Sequence, residues 1–272
     1  MALFHCQLFS KQLFASVDVN VILPLPDSGN YFFKSNMDYP KADQKFQTLY
    51  LLHGISADYS DWVRFSGIER YAQEHQLAVV MPSASNSMYC NLKNGGNYYS
   101  FVAEELPSMV RSIFPLSDKR EDNFIAGLSM GGYGAFKIGL GNPGRFLAIA
   151  SLSGGLITHK ENDGKDSPVV GLAHWFKWVY GENNEHYDAN NEDLLCIVKN
   201  MVKEGALLPK IYQCCGTEDF LYSDNVFFRD VLHNLKVDVT YEEGPGRHDW
   251  DFWDPYIKKI LDWLPLKNGF SK

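Results

Sequence analysis

Gly127-Leu-Ser129-Met-Gly131 follows an apolar run, residues 123–128, and precedes a stretch rich in small residues, Gly132, Gly134 and Ala135. A serine between two glycines at the junction of a strand and a helix is lifted out of the sheet on a sharp turn, with its hydroxyl presented for attack. That hydroxyl is a weak nucleophile near neutral pH, so the chemistry requires a base in contact and an acid to orient the base. In sheet enzymes of this kind the acid and the histidine come later in the chain, on loops beyond later strands. Five histidines follow Ser129: His159, His174 and His186 fall in a polar stretch, His233 lies within a helical pattern, and His248 sits in the glycine-rich loop Glu243-Gly-Pro-Gly-Arg-His248-Asp-Trp. His248 is therefore the candidate base.

The acid is expected after the preceding strand, where the chain reads Cys215-Gly-Thr-Glu218-Asp219-Phe220-Leu221. Asp219 is preferred to Glu218 because the apolar pair that follows would seat it, and Asp249 and Asp251 are too close to the base on its own loop. Acyl transfer also needs donors for the developing oxyanion. The Met130 amide supplies one, and the loop Leu52-His53-Gly54-Ile55 offers the Ile55 amide as the second, with Gly54 permitting the turn and His53 supporting it.

The elements that must position these groups follow from periodicity. Residues 2–9 and 14–25 read as an opening antiparallel hairpin. Strands are expected at 48–52, 77–81, 123–128, 146–152, 210–215 and 237–242. Helices are expected at 66–76, opened by the capping-box pattern Ser66-Gly-Ile-Glu69, and at 98–114, 130–140, 193–203 and 225–235, with a last helix opened by Asp254-Pro255. Such alternation predicts a mainly parallel sheet with helices on both faces. Residues 158–194 break the pattern with a polar, cap-like insertion around the aromatic patch at 175–180. Gly139-Leu-Gly-Asn-Pro-Gly144 fits a dinucleotide-binding string, but it ends a helix instead of opening one and reads as a helix stop.

Composition bounds the partners. The chain has 272 residues, 45% hydrophobic and 14% aromatic, enough for one large domain. Its 25 Lys and Arg against 33 Asp and Glu give a net charge of −8, which argues against nucleic acid. No apolar run approaches the roughly 20 residues of a membrane span. The opening MALFHCQLFSK has no leader pattern, which predicts a cytoplasmic location. Five scattered cysteines without a C-x-x-C pair read as reduced thiols and suggest neither a disulfide framework nor a zinc site.

Taken together, the strand ending in His53-Gly54 with Asp61-Trp62 after it, Gly-Leu-Ser129-Met-Gly-Gly, Gly-Thr-Glu-Asp219 and His248-Asp-Trp resemble the esterase D family of α/β-hydrolases. The likeness is greatest to the bacterial tributyrin esterases. It implies a single α/β-hydrolase domain over 1–272, a triad of Ser129, Asp219 and His248, oxyanion amides from Ile55 and Met130, and hydrolysis of short-chain acyl esters of small molecules without metal or cofactor. The segment Ser87-Met-Tyr89-Cys90 resembles the family's substrate-side loop, so Tyr89 and Trp62, with Gly54, are candidate pocket residues; both aromatics could equally be core. The resemblance also hints at self-association. S-formylglutathione hydrolase and feruloyl or acetyl carbohydrate esterase activities use the same triad, and a noncatalytic binding protein on this fold is the reading of another class.

Overall fold

The computed structural model describes residues 1–26, 28, 32, 39–41, 43–157, 172–182 and 185–267. Residues 158–171, 183 and 184 of the expected 158–194 insertion, His159 among them, therefore lie outside the described residues. Eight strands form one sheet: β1 (Ala2–Ser10), β2 (Ala15–Leu23), β3 (Thr48–Leu52), β4 (Ala78–Pro82), β5 (Asn123–Leu128), β6 (Ala148–Leu152), β7 (Lys210–Gly216) and β8 (Val239–Gly244). They lie in the order β1-β2-β4-β3-β5-β6-β7-β8, with β1 and β2 antiparallel to their neighbours and all pairs from β4 to β8 parallel.

The central strands β3 to β6 are buried along their whole length and mostly apolar because both faces are covered. Alternate residues serve two separate cores. Tyr50, Leu52 and Ile125 face helices that include α4 (Met130–Gly141) and α7 (Leu194–Glu204). Leu49, Leu51, Phe124 and Leu128 face α1 (Asp61–Phe65), α2 (Ile68–Glu74) and α9 (Trp250–Trp263). Between them come α3 (Leu106–Ile113), α5 (Leu172–Tyr180), α6 (Ala189–Glu192) and α8 (Tyr222–Asn234). After β3 the chain crosses to β4 on one side and then returns to build β5 on the other. The carboxyl ends of β3 and β5 thus flank a crevice where strand order reverses, the usual position for a ligand site in an open α/β sheet.

Two helix boundaries differ from the expectation. Ser66 does not close a capping box: Gly67 is the N-cap of α2, and its amide donates to Oδ1 of Asp254 at 2.7 Å. Asp254 and Pro255 do not open the last helix either. It begins at Trp250, with the Asp249 carboxylate as N-cap accepting from Phe252, and Pro255 lies inside it. A carboxylate 187 positions away caps α2, and local sequence carries no sign of that. The helical stretch 98–113 also contains a π turn, Phe101–Glu105, just ahead of Pro107, which has no N–H for the carbonyl four residues back.

Candidate active site

Ser129 stands between β5 and α4 with φ 54° and ψ −119°, a conformation costing about 1–3 kcal/mol in a non-glycine residue. Tight packing enforces it. A Cβ on Gly127 would lie 2.4 Å from the Gly131 carbonyl, and one on Gly131 would lie 2.5 Å from the Leu52 carbonyl oxygen. The Ser129 amide donates to Leu152 O at 2.9 Å, and its carbonyl accepts from Gly132 at 3.0 Å. The two motif glycines are therefore what lets the turn close against β3.

From this turn a hydrogen-bonded line runs through three residues. His248 Nε2 is 2.9 Å from Ser129 Oγ, and His248 Nδ1 is 2.8 Å and 3.1 Å from the two Asp219 carboxylate oxygens. The Asp219 side chain is closed off from solvent and also accepts from the Leu221 amide at 2.8 Å. An ionised carboxylate can only accept, so Nδ1 carries the proton and the Nε2 lone pair faces the serine hydroxyl. Phe220 (4.6 Å) and Trp253 (5.0 Å) hold the imidazole, and the Trp253 indole N–H donates to Ser153 Oγ. This arrangement can take a proton from Ser129 while Asp219 stabilises the imidazolium.

The competing acids have other tasks. Glu218 is exposed and accepts from the Gly246 amide, a bond that holds its carboxyl below the usual range and latches the histidine loop to the end of β7. Asp249 caps α9 and Asp251 is exposed. His174 is exposed on α5, His186 lies 3.7 Å from Glu185, and His233 lies within α8. None of these three meets Ser129.

On the β3 side, a Cβ on Gly54 would lie 3.5 Å from that of Ser129, so the Gly54-Ile55 loop adjoins the serine. Met130 is the first residue of a 12-residue helix, where amides lack intrahelical acceptors and the dipole favours negative charge. His53 supports this loop as expected: it is buried, Nδ1 bonds Gly54 O at 2.7 Å and Nε2 accepts from the Ala84 amide at 2.8 Å. Burial holds its pKa below the ordinary histidine value, in keeping with the neutral tautomer those bonds require.

Of the two readings open for Trp62 and Tyr89, the structure places both rings in the core. They are 1% and 0% exposed; the Trp62 indole donates to Leu52 O at 3.1 Å and the Tyr89 hydroxyl to His53 O at 2.9 Å. Each has a large ring that core packing absorbs and a polar tip that fixes the carbonyls leading into Gly54.

Two features went unread in the sequence. Asn86 bridges the β3 loop to α5: its Oδ1 accepts from the Ser56 amide at 2.7 Å and its backbone oxygen from the Trp175 indole at 2.6 Å. Lys137 on α4, 3% exposed, donates to the Glu192 carboxylate and, at 3.0 Å, to Cys90 Sγ. A lone lysine in Met-Gly-Gly-Tyr-Gly-Ala-Phe-Lys137-Ile-Gly-Leu-Gly, otherwise without a polar face, was the available signal. Among the described residues no His, Cys, Asp and Glu group could hold a metal ion, and no helix is long and apolar enough to cross a membrane.

Residues 18–264 match the Esterase family model, described as "Putative esterase". The chain is 36% identical to an acetyl esterase of Caldicellulosiruptor saccharolyticus, covering 97% of this chain and 98% of the relative. Among solved structures it resembles the fluorophosphonate-binding serine hydrolase FphF of Staphylococcus aureus, with 35% identity, a TM-score of 0.83 and 97% and 98% of the two chains covered. An S-formylglutathione hydrolase, FrmB, from the same organism gives 35% identity and a TM-score of 0.81 over the same shares.

Proposed function

The chain belongs to the Esterase family, has the α/β-hydrolase fold and is a serine-type carboxylic ester hydrolase acting on small-molecule esters; from that premise we propose that Ser129, His248 and Asp219 carry the reaction. Ser129 Oγ attacks the ester carbonyl carbon as its proton passes to His248 Nε2. The Ile55 and Met130 amides hold the oxyanion. The tetrahedral adduct collapses, His248 gives the proton to the departing alcohol oxygen, and Ser129 is left acylated. Water, deprotonated by His248, then attacks the acyl carbon; this second adduct collapses by breaking the bond to Ser129 Oγ, His248 returns the proton to that oxygen, and the acid is released. Asp219 stays ionised throughout and keeps the imidazole in the required tautomer.

The observation that carries this reading is the unbroken line from the Asp219 carboxylate through the imidazole to Ser129 Oγ. Short-chain acyl esters are the proposed substrates, in keeping with the relative named as an acetyl esterase. The test is hydrolysis of p-nitrophenyl acetate together with fluorophosphonate labelling followed by mass spectrometry. Ser129→Ala is expected to lower kcat by about 10⁴- to 10⁶-fold and to abolish the label. Comparable rates in both proteins would remove Ser129 from the mechanism.

The likeness to FrmB favours a second reading in which the same triad cleaves a thioester. A higher kcat/KM for S-formylglutathione than for p-nitrophenyl acetate would select it.

A further inference from the structure

Where the ladder between β7 and β8 ends, at Gly216 opposite Gly244, the two chains run on into the loops that carry Asp219 and His248. They do not part at once. The Thr217 amide donates to Gly244 O at 2.9 Å, and the Glu218 amide donates to Gly246 O at 3.0 Å. Glu218 then closes the pair with its side chain, whose carboxylate accepts from the Gly246 amide. Both backbone polar groups of Gly246 are thus taken by one residue. That residue is next to Asp219 in the chain, and Gly246 stands two positions before His248.

Packing brings the two loops as near as backbone allows. A Cβ on Gly216 would lie 2.2 Å from Gly246 O, and one on Gly246 would lie 2.7 Å from Cδ2 of Phe252 in α9. These contacts limit how close the histidine loop can come, whereas the bonds to Glu218 stop it from moving away. A backbone amide bonded to an ionised carboxylate is the stronger kind of tie, and the same bond keeps the Glu218 carboxyl below its usual range, so the ionised acceptor is present near neutral pH. The side chain is exposed and adds no core packing. What it guards are the reacting distances, His248 Nδ1 at 2.8 Å from Asp219 and Nε2 at 2.9 Å from Ser129 Oγ. A displacement of about 1 Å in such a group can cost about 10²-fold in rate.

Resting on the esterase reading above, we infer that Glu218 is a positioning residue for the reaction: by closing on the Gly246 amide, its carboxylate holds the loop bearing His248 in register with Asp219. Its part is geometric. Glu218 touches neither Ser129 nor the imidazole, and it acts through the loop that places the base.

The experiment compares wild type with Glu218→Ala and Glu218→Gln. On p-nitrophenyl acetate, Glu218→Ala is expected to lower kcat by about five- to fiftyfold, with KM within about twofold and the urea midpoint little moved. Glu218→Gln keeps an acceptor oxygen without the charge and is expected to bring kcat back to within about threefold of wild type. Equal losses in the two variants would make charge the contribution and overturn the assignment, as would a loss confined to KM or an unchanged kcat in Glu218→Ala. Amide hydrogen exchange of the segment 244–249, followed by mass spectrometry, reads the loop without reference to activity. Exchange is expected to quicken in Glu218→Ala and to stay near the wild-type rate in Glu218→Gln; unaltered exchange in Glu218→Ala also overturns the assignment. If kcat falls and exchange quickens in Glu218→Ala while Ser129→Ala still hydrolyses the ester, the latch stands and the assignment of the nucleophile alone fails.

Discussion

Two hydrogen-bonded trios of acid, base and nucleophilic atom lie in this molecule: Asp219–His248–Ser129 at the crevice and Glu192–Lys137–Cys90 beneath α6. Their distances are alike, with Cys90 Sγ 2.9 Å from the Glu192 carboxylate and 3.0 Å from Lys137 Nζ. Their circumstances are opposite. The first ends on a strained serine at the carboxyl edge of the sheet, and its base has a lone pair facing the nucleophile. The second is closed over by Tyr133, Tyr180 and Tyr99; Tyr133 also donates to Glu192, and burial pushes the Cys90 thiol up to about 12. An ammonium that only donates cannot accept the thiol proton. Residue types and spacing thus do not make a catalyst; access and protonation state do. The inner trio instead fastens the segment carrying α6 onto the helix that follows Ser129.

The sharpest way to break this comparison is to perturb each acid and read both activity and stability. Asp219→Asn removes the acceptor that fixes the imidazole tautomer. It is expected to lower kcat on p-nitrophenyl acetate by about 10⁴-fold, with little movement of the urea midpoint. Retained activity would mean that another group orients His248.

Glu192→Leu strands the Lys137 ammonium in the core and is expected to cost about 3–5 kcal/mol in urea unfolding. Adding Lys137→Met removes the orphaned charge and should recover most of that loss. Equal destabilisation in the single and double variants would show that packing, and not the ion pair, is what Glu192 provides.

The smallest effect is expected at the inner thiol. In the native protein Cys90 should resist iodoacetamide while the partly exposed Cys6 and Cys196 react, as followed by peptide mapping, and Cys90→Ser should leave kcat unchanged. Rapid native labelling of Cys90 would erase the distinction between the trios.

Much of the outer trio was legible because its signals are local. Gly127 is demanded by a contact with Gly131 inside one strand-turn-helix unit, Gly131 by its approach to β3, and both sit within two residues of Ser129 in the chain; the loop bearing His248 announces itself by glycine and proline. Where longer-range packing intervened, local reading failed. For Trp62 and Tyr89 the neighbours in sequence left pocket and core equally open; both rings lie in the core and brace carbonyls of the β3 loop. Asp254 looks like the start of one helix and instead caps another.

The sequence by itself determined the alternation of strands and helices, the raised serine, and the order in which nucleophile, acid and base appear, because each depends on residues within a few positions of one another. Only the tertiary structure decided that Asp219 and not Glu218 meets the imidazole, which nitrogen faces Ser129, and that Lys137 finds Glu192. Those outcomes join positions 29, 119 and 55 residues apart, and the carboxyl edge of a folded sheet is what brings such distant side chains within hydrogen-bonding reach.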